Sequence, residues 1–392
     1  MILQHRIPLA WRNLTHDRRR LLVAVSGIGF AVVLMFMQTG FKNALFDSTL
    51  QILQDLNADL VLVGKIRYAL PAHQTFNIAR LYQTRACEGV RAAYPVYIER
   101  PLGVWKQPDG QGYPIRVLAC DPADPVLLIP EVSLYAEPLK RQGAVLIDER
   151  SKSVYGPPGS RAPWTQWRNV TLAGQTIRLV GSFRLGTDFV NDGNLFMSSA
   201  NFAKFFPSRV PGGDPLEAVD LGVVQLQDGA DPREVKQRLA ARLPGDVAVC
   251  TKTEMIAREQ NFWSKSTPVG YVFMLGTAIG FVVGTIICYQ IINADIADHM
   301  PEFATLKAMG YRNRYFVTFV LMESVYLSLL SFAPGVLVSY VLYEVLARST
   351  GLLMILNVPR AASVLLLTLA MCIASGCLAM RKVVAADPAE LF

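Results

Sequence analysis

Residues 21–41 read LLVAVSGIGFAVVLMFMQTGF, without one charged side chain. As a helix rising about 1.5 Å per residue, such a run covers the roughly 30 Å of a hydrocarbon layer. Three more charge-free runs of similar length follow late in the chain, at 266–294, 324–343 and 361–380. Between the first run and the second lie about 220 residues of ordinary soluble composition, enough to bury a core of their own. The pattern predicts an α-helical membrane protein with four transmembrane helices spaced 1+3. A large α+β extracytoplasmic domain is inserted between helices 1 and 2.

The chain has 392 residues, 52% hydrophobic and 18% charged. Its mean hydropathy is +0.30. A soluble protein carries about a quarter charged residues, and four spans account for the deficit. The net charge of +7 raises nucleic acid as a partner, but the location of the charge argues against it. Arg6, Arg12, Arg18, Arg19 and Arg20 precede the first span. Lys307, Arg312 and Arg314 lie between the second and third, and Arg381 and Lys382 follow the fourth. The short loop on the opposite side holds only Arg348 and Arg360. An excess of Lys and Arg marks cytoplasmic loops, so both termini and the 295–314 loop are expected inside. Basic residues in the large insertion are scattered rather than striped, which also excludes nucleic acid.

The expected segments are a cytoplasmic interfacial helix at 1–20 anchored by Trp11, helix 1 at 21–41, and the inserted domain with its stalk helices at 42–265. Then come helix 2 at 266–294, a cytoplasmic loop at 295–314, helix 3 at 315–346, a short outer loop at 347–360, helix 4 at 361–380 and a tail at 381–392. The first run is too long for a cleaved signal's apolar region, and no A-x-A site follows it. Within the insertion, strands are expected at 60–63, 115–119, 145–147, 170–172, 177–183, 195–198, 219–226 and 247–250. Asp231-Pro232 opens a helix with Val235, Leu239 and Leu243 on one face. Residues 42–57 and 252–265 read as stalks, and 150–169 as an exposed loop.

Catalytic signatures are missing. The sequence has no G-x-x-x-x-G-K-S/T, no G-x-S-x-G and no H-E-x-x-H. Of four histidines, only His73 falls in the insertion, so a histidine metal site or triad there is not expected. Asp188 and Asp192-Gly193 faintly resemble a calcium loop, but Val190 and Ser199 stand where oxygen ligands belong. Cys87, Cys120 and Cys250 allow at most one disulfide within the insertion, or none. Cys288, Cys372 and Cys377 read as packing residues.

Three features inside or beside the spans stand out. Gly276, Gly280 and Gly284 recur every four residues on one helix face. They permit close packing, either within the subunit or across a dimer seam. Pro334-Gly335 is expected to kink helix 3. Glu323 is an ionisable residue near the cytoplasmic end of that helix, with Arg312 and Arg314 near enough in sequence to pair with it.

The loop between helices 2 and 3 carries the strongest signal. Pro301 suits a first helical position and Gly310 a C-terminal cap. Glu302 early and Lys307 late complement the helix dipole, and Phe303, Leu306 and Met309 recur at three-residue spacing. A helix this short is not stable alone and must dock, on the lipid surface or in a cleft of a cytoplasmic partner.

The run Glu302-Phe303-Ala304-Thr305-Leu306-Lys307-Ala308-Met309-Gly310 resembles the coupling segment E-I/F/Y-A-x-L-K/R-A-I/M-G of FtsX/MacB-type ABC transporter permeases. Met300-Pro301 departs from that pattern, because many relatives carry a basic residue there. Residues 34–41, Asp59-Leu60-Val61-Leu62, Tyr94-Pro95-Val96-Tyr97, Gly186-Thr187-Asp188-Phe189 and the ending at 386–392 are similar to the DevC group. The resemblance implies a non-catalytic permease subunit without cofactor, with ATP bound by a separate ABC ATP-binding subunit. Glu302, Phe303, Leu306, Lys307, Met309 and Gly310 would couple to that ATPase. It further implies a permease homodimer in the bacterial inner membrane. A periplasmic adaptor and, indirectly, an outer-membrane channel would join it to export a glycolipid or other amphiphile. A relative that regulates a periplasmic partner without exporting anything is the alternative reading.

Overall fold

In the computed structural model the opening run lies inside one long helix, α1 (Arg18–Asp55). The structure describes residues 14, 17–106, 110–155 and 170–385. Most of the interfacial helix expected at 1–20, including Trp11, most of the 150–169 loop and the ending at 386–392 lie outside the described residues, and residues 18–20 already belong to α1. The chain divides into two compact units. One comprises Met1–Asn43, Tyr271–Val345 and Met354–Phe392, the other Ala44–Gly270 and Leu346–Leu353.

The second unit is an α+β domain around an eight-stranded sheet. Its strands are β1 (Leu60–Gly64), β2 (Val90–Glu99), β3 (Arg116–Cys120), β4 (Ala144–Asp148), β5 (Arg178–Phe183), β6 (Asn194–Ser198), β7 (Leu221–Leu226) and β8 (Val247–Thr251). They lie in the order β5-β4-β6-β3-β2-β7-β1-β8. Pairing is mixed: β5 with β4 and β6 with β3 run parallel, and the rest antiparallel. Strand β1 shows why such strands read as unbroken apolar runs. Leu60 and Leu62 face one cluster, Val61 and Val63 the other, and both faces are covered. The first cluster lies under α2 (Ala79–Arg85) and α3 (Pro232–Arg242), through Leu81, Val235 and Leu239. The second takes Leu50, Ile52, Leu53 and Leu56 from the end of α1 and its exit, and Met255 from α4 (Lys252–Asn261). Asp231 caps α3 as expected, accepting from the Arg233 amide at 3.0 Å.

Strand β2 is not among the expected strands, and it carries Pro95 in its middle, where a central strand rarely has proline. The structure explains the exception. Residues 90–96 pair only with β7, where Pro95 stands opposite Gly222, and pairing with β3 begins at Tyr97. A residue without an amide hydrogen is therefore placed where the strand has one neighbour. Cys87 and Cys120 belong to clusters on opposite faces of the sheet, and all six cysteines are free.

One buried ionic cluster ties distant parts of this domain together. Asp220 accepts from the Ile98 amide at 2.7 Å, pairs with Arg67 Nη1 at 3.5 Å and is bonded to Arg209. Arg209 Nη1 also lies 3.7 Å from Glu99 Oε2, and His73 Nε2 lies 3.7 Å from that same oxygen. Glu99 raises the His73 imidazole above its ordinary value. Burial pushes the Glu99 carboxyl up, but His73, the Leu102 amide and Arg209 outweigh it and hold it below 4.5. The signs give a window. The His73 share of stability is present below pH 6.5 and is lost as pH rises through its raised value. The Glu99 share is present above pH 4.5 and is lost as pH falls through its lowered one. His73 is half-exposed, so its share is at most about 1 kcal/mol. His73→Asn is expected to flatten the loss of thermal stability above pH 6.5. An unchanged slope would remove His73 from the cluster.

The first unit holds the apolar helices. Besides α1 these are α5 (Pro268–Asp298), α7 (Asn313–Thr350) and α8 (Val358–Ala385), with the short α6 (Met300–Ala308) between α5 and α7. All four long helices are long and apolar enough to cross a membrane. Their outward surface is apolar too: Val23 is 69% exposed, Val272 64% and Leu366 67%. That arrangement suits hydrocarbon as solvent. Ile28, Val32, Met35 and Phe36 of α1 meet Cys288 and Ile292 of α5, Val320 and Leu327 of α7, and Met371 and Cys372 of α8. Several buried hydroxyls donate to backbone carbonyls, whereas Ser331 Oγ has no partner among the described residues. Ser375 Oγ donates at 2.8 Å to Met371 O in its own helix and at 2.8 Å to Thr285 O across to α5. Pro334 lies within α7, which is continuous from Asn313 to Thr350.

Candidate functional site: the loop between the second and third apolar helices

Helix α6 starts without a side-chain cap at His299, and Pro301 falls within its first two positions. Its end is built more firmly. The Gly310 amide donates to Lys307 O at 3.0 Å and the Tyr311 amide to Leu306 O at 3.2 Å. These two bonds form a Schellman motif, and Gly310 supplies the left-handed residue it needs, with φ +91°. A Cβ on Gly310 would meet nothing within 4 Å, so any penalty there is backbone strain alone. Gly310→Ala is expected to cost about 1 kcal/mol and to raise amide exchange over residues 306–311. Unchanged exchange would deny the motif its role.

The structure separates the residues that spacing had grouped. Leu306 and Met300 are half-buried against the helix core. Met309, just past the helix, is 64% exposed and Tyr311 46%. Pro301, Glu302 and Thr305 are also exposed. Lys307 is half-buried in the last turn. The presented tip is therefore Pro301, Glu302, Thr305, Met309 and Tyr311, while Leu306 anchors it. The Tyr311 ring is braced on Tyr315, with centroids 4.9 Å apart. Tyr311 was missed because it lies one residue beyond the glycine that ends the helical pattern.

The three glycines of α5 differ from one another. A Cβ at Gly284 would stand 3.0 Å from Ala31 Cβ and would overlap Met371 Sδ. At Gly276 it would reach Gln38 Oε1 at 2.6 Å. At Gly280 the nearest atom is Met35 Cγ at 3.9 Å. Gly276 and Gly284 thus pack against helices of the same subunit. Gly284→Val is expected to cost about 1–3 kcal/mol by overpacking, whereas Gly280→Ala is tolerated. Comparing thermal midpoints of the two variants checks this, and equal midpoints would refute it.

Glu323 does not face Arg312 or Arg314, both of which are exposed. It is 1% exposed and hydrogen-bonded to Asp295 of α5. Asp295, Asp298, His299 and Glu323 line a cavity of about 560 Å³ with Asp17, Arg19 and Arg20. Arg20 Nη1 meets Asp298 Oδ2 at 2.5 Å and thereby ties the start of α1 to the end of α5. The sequence distance from Glu323 to Asp295 hid this pairing, since only helix packing brings α5 and α7 together. Among the described residues, no group of three His, Cys, Asp or Glu is placed to hold a metal ion.

Comparison with solved structures finds the periplasmic region of MacB from Actinobacillus actinomycetemcomitans, at 11% identity and a TM-score of 0.36, covering 53% of this chain and 94% of that one. It also finds the extracellular domain of the noncanonic ABC-type transporter YknZ from Gram-positive bacteria. That match has 11% identity and a TM-score of 0.33, and covers 50% of this chain and 100% of that one. No curated protein matches. Residues 272–388, which contain α6 and the apolar helices around it, match the family described as FtsX-like permease C-terminal.

Proposed function

We propose that this chain is the membrane subunit of an ABC exporter in which a separate ATPase drives the α+β domain. The observation that carries this reading is the family match over residues 272–388. That stretch includes a short capped helix held between two long apolar ones. In this reading both termini and α6 are cytoplasmic and the α+β domain lies outside the inner membrane, as the distribution of Lys and Arg requires. The ATPase receives the exposed tip at Glu302, Thr305, Met309 and Tyr311. Helix α1, which holds residues of both units, carries its motion outward. Two permeases work as a pair, and a periplasmic adaptor joins the α+β domain to an outer-membrane channel. The cargo is a glycolipid or another amphiphile, as the similarity to DevC proteins implies. The subunit itself does no catalysis.

Affinity capture of the full chain from detergent-solubilised membranes, followed by mass spectrometry, tests the proposal. Recovery of a P-loop ATPase together with an adaptor is the expected result. An ATPase without an adaptor would replace export by regulation of a periplasmic partner. Absence of any ATPase from a chemically crosslinked sample would overturn the reading altogether.

A further inference from the structure

The α+β domain contains a small cavity whose lining is cationic and incompletely satisfied. Its volume is about 80 Å³, and Arg67, Arg116, His73, Arg100, Asp188 and Asn191 are among its walls. Arg67 is 1% exposed and Arg116 8%. Each guanidinium is fixed by several bonds. Arg67 donates from Nη1 to Asp220 O at 2.9 Å and Gln74 O at 3.1 Å, and from Nη2 to Leu70 O at 2.7 Å. Arg116 donates from Nε to Asn194 Oδ1 at 2.8 Å and from Nη1 to Asp188 Oδ2 at 2.6 Å. Each also keeps one buried N–H without a partner, Nε in Arg67 and Nη2 in Arg116.

The two carboxylates in the lining, Asp188 and Asp220, are already engaged, while Asn191 Oδ1 in the wall and Glu99 Oε2 behind His73 are buried acceptors without a hydrogen bond. Asp188 Oδ1 accepts from the Val190 and Asn191 amides, both at 2.8 Å, and from Asn191 Nδ2 at 3.0 Å. Asp188 Oδ2 already takes Arg116. Asp220 serves Arg67, Arg209 and the Ile98 amide. What remains in the lining is the donor capacity of two buried cations and one neutral amide acceptor, Asn191 Oδ1, so the unmatched charge is positive. Leaving a charged donor unpaired in a protein interior is costly, and an oxyanion is the partner that removes the cost. The exposed Arg100 supplies further positive charge where the cavity meets solvent, and His73, with its side chain 44% exposed, adds to it when protonated. The Arg100 side chain is held over this edge by its bond to Val190 O at 2.9 Å.

We infer that this cavity is a binding site for one anionic group, a phosphate or carboxylate, received by the spare N–H groups of Arg67 and Arg116. A free anion or the headgroup of an anionic lipid offers the same chemistry. The inference concerns the α+β domain alone and does not depend on the permease reading.

The test uses the purified full chain in a neutral detergent, with thermal unfolding as the readout. Inorganic phosphate is titrated against sodium chloride of matched ionic strength. A parallel arm uses a short-chain phosphatidate below its micelle concentration. Phosphate is expected to raise the midpoint saturably, by about 5–10 °C at a hundredfold excess over its dissociation constant, while chloride does not. Protection by the phosphatidate at lower concentration than by phosphate identifies a lipid headgroup as the source, and the reverse order identifies a free anion. Arg116→Lys keeps a cation beside Asp188 but deletes the spare Nη2, and should abolish the phosphate response. Val190→Trp fills the cavity from a half-buried wall position without touching the ion pairs, and should do the same. A wild-type midpoint that responds equally to phosphate and chloride would overturn the proposal. So would a phosphate response that survives in Val190→Trp.

Discussion

Asp220→Ala is expected to lower the stability of the α+β domain by about 3–5 kcal/mol, the range for breaking a buried ion pair by removing one partner. Asp220 is 1% exposed and is the only described carboxylate shared by Arg67 and Arg209. Its loss leaves two buried guanidiniums facing each other, with Glu99 beside Arg209 and Glu259 near Arg67 as the remaining carboxylates. It also strips the Ile98 amide, at the β2 position just before Glu99, of its acceptor. Desolvation had already lowered the affinity of Arg67 for its proton, with Asp220 opposing, so that guanidinium would suffer most. Asp220→Asn separates the two effects, since it retains an acceptor for the amide but not the charge. It should still destabilise more than any substitution at the exposed pair Lys140–Glu137, which solvent screens. Thermal unfolding of the full chain reads the difference as a drop of about 10 °C for the alanine variant. A drop no larger than that of the exposed pair would mean that the cluster does not hold the domain together.

How much of this was legible beforehand depends on how far apart the partners lie in the chain. Strand β1 was readable because four consecutive apolar residues, 60–63, covered on both faces, leave their mark in one short stretch. The α3 cap was readable because Asp231 and Arg233 are two residues apart. Arg67 and Asp220 are 153 residues apart, and nothing in either neighbourhood marks it as half of a pair. The same holds for Arg116, which lies in an expected strand, and Asp188, which sits in the stretch that faintly resembles a calcium loop; the two are joined across 72 residues. Glu323 was noticed as an oddity, but its true neighbour was not, because helical periodicity says which face a residue shares and not which helix will cover it. Strand β2 is a different case. A rule about proline in central strands is correct on average and fails where pairing is one-sided.

The tip of the loop between α5 and α7 is where this distinction has the largest consequence for the proposed function. Over two turns, a three-residue recurrence of Leu306 and Met309 fits one face, yet it does not say whether that face looks in or out. The structure places Leu306 inward and Met309 outward. Two aspartate substitutions should therefore fail in different ways. Leu306→Asp puts a charge against the apolar core, where an unpaired charge is not tolerated, and is expected to reduce the amount of folded protein. Met309→Asp puts the charge on a surface already 64% exposed, and the isolated subunit should retain its thermal midpoint. If Met309 is seated in a cleft of the ATPase, its loss removes a buried apolar anchor. Binding should weaken by about tenfold or more, as for the central residues of protein interfaces. Transport and ATPase stimulation should fall together while membrane insertion is unchanged. Gly310→Ala provides the intermediate case, because it loosens the frame that aims Met309 without altering the tip's chemistry. A Met309→Asp variant that binds the ATPase and transports at the wild-type rate would show that the partner grips another part of the loop. A Leu306→Asp variant that folds normally would show that α6 is not anchored on the helix core.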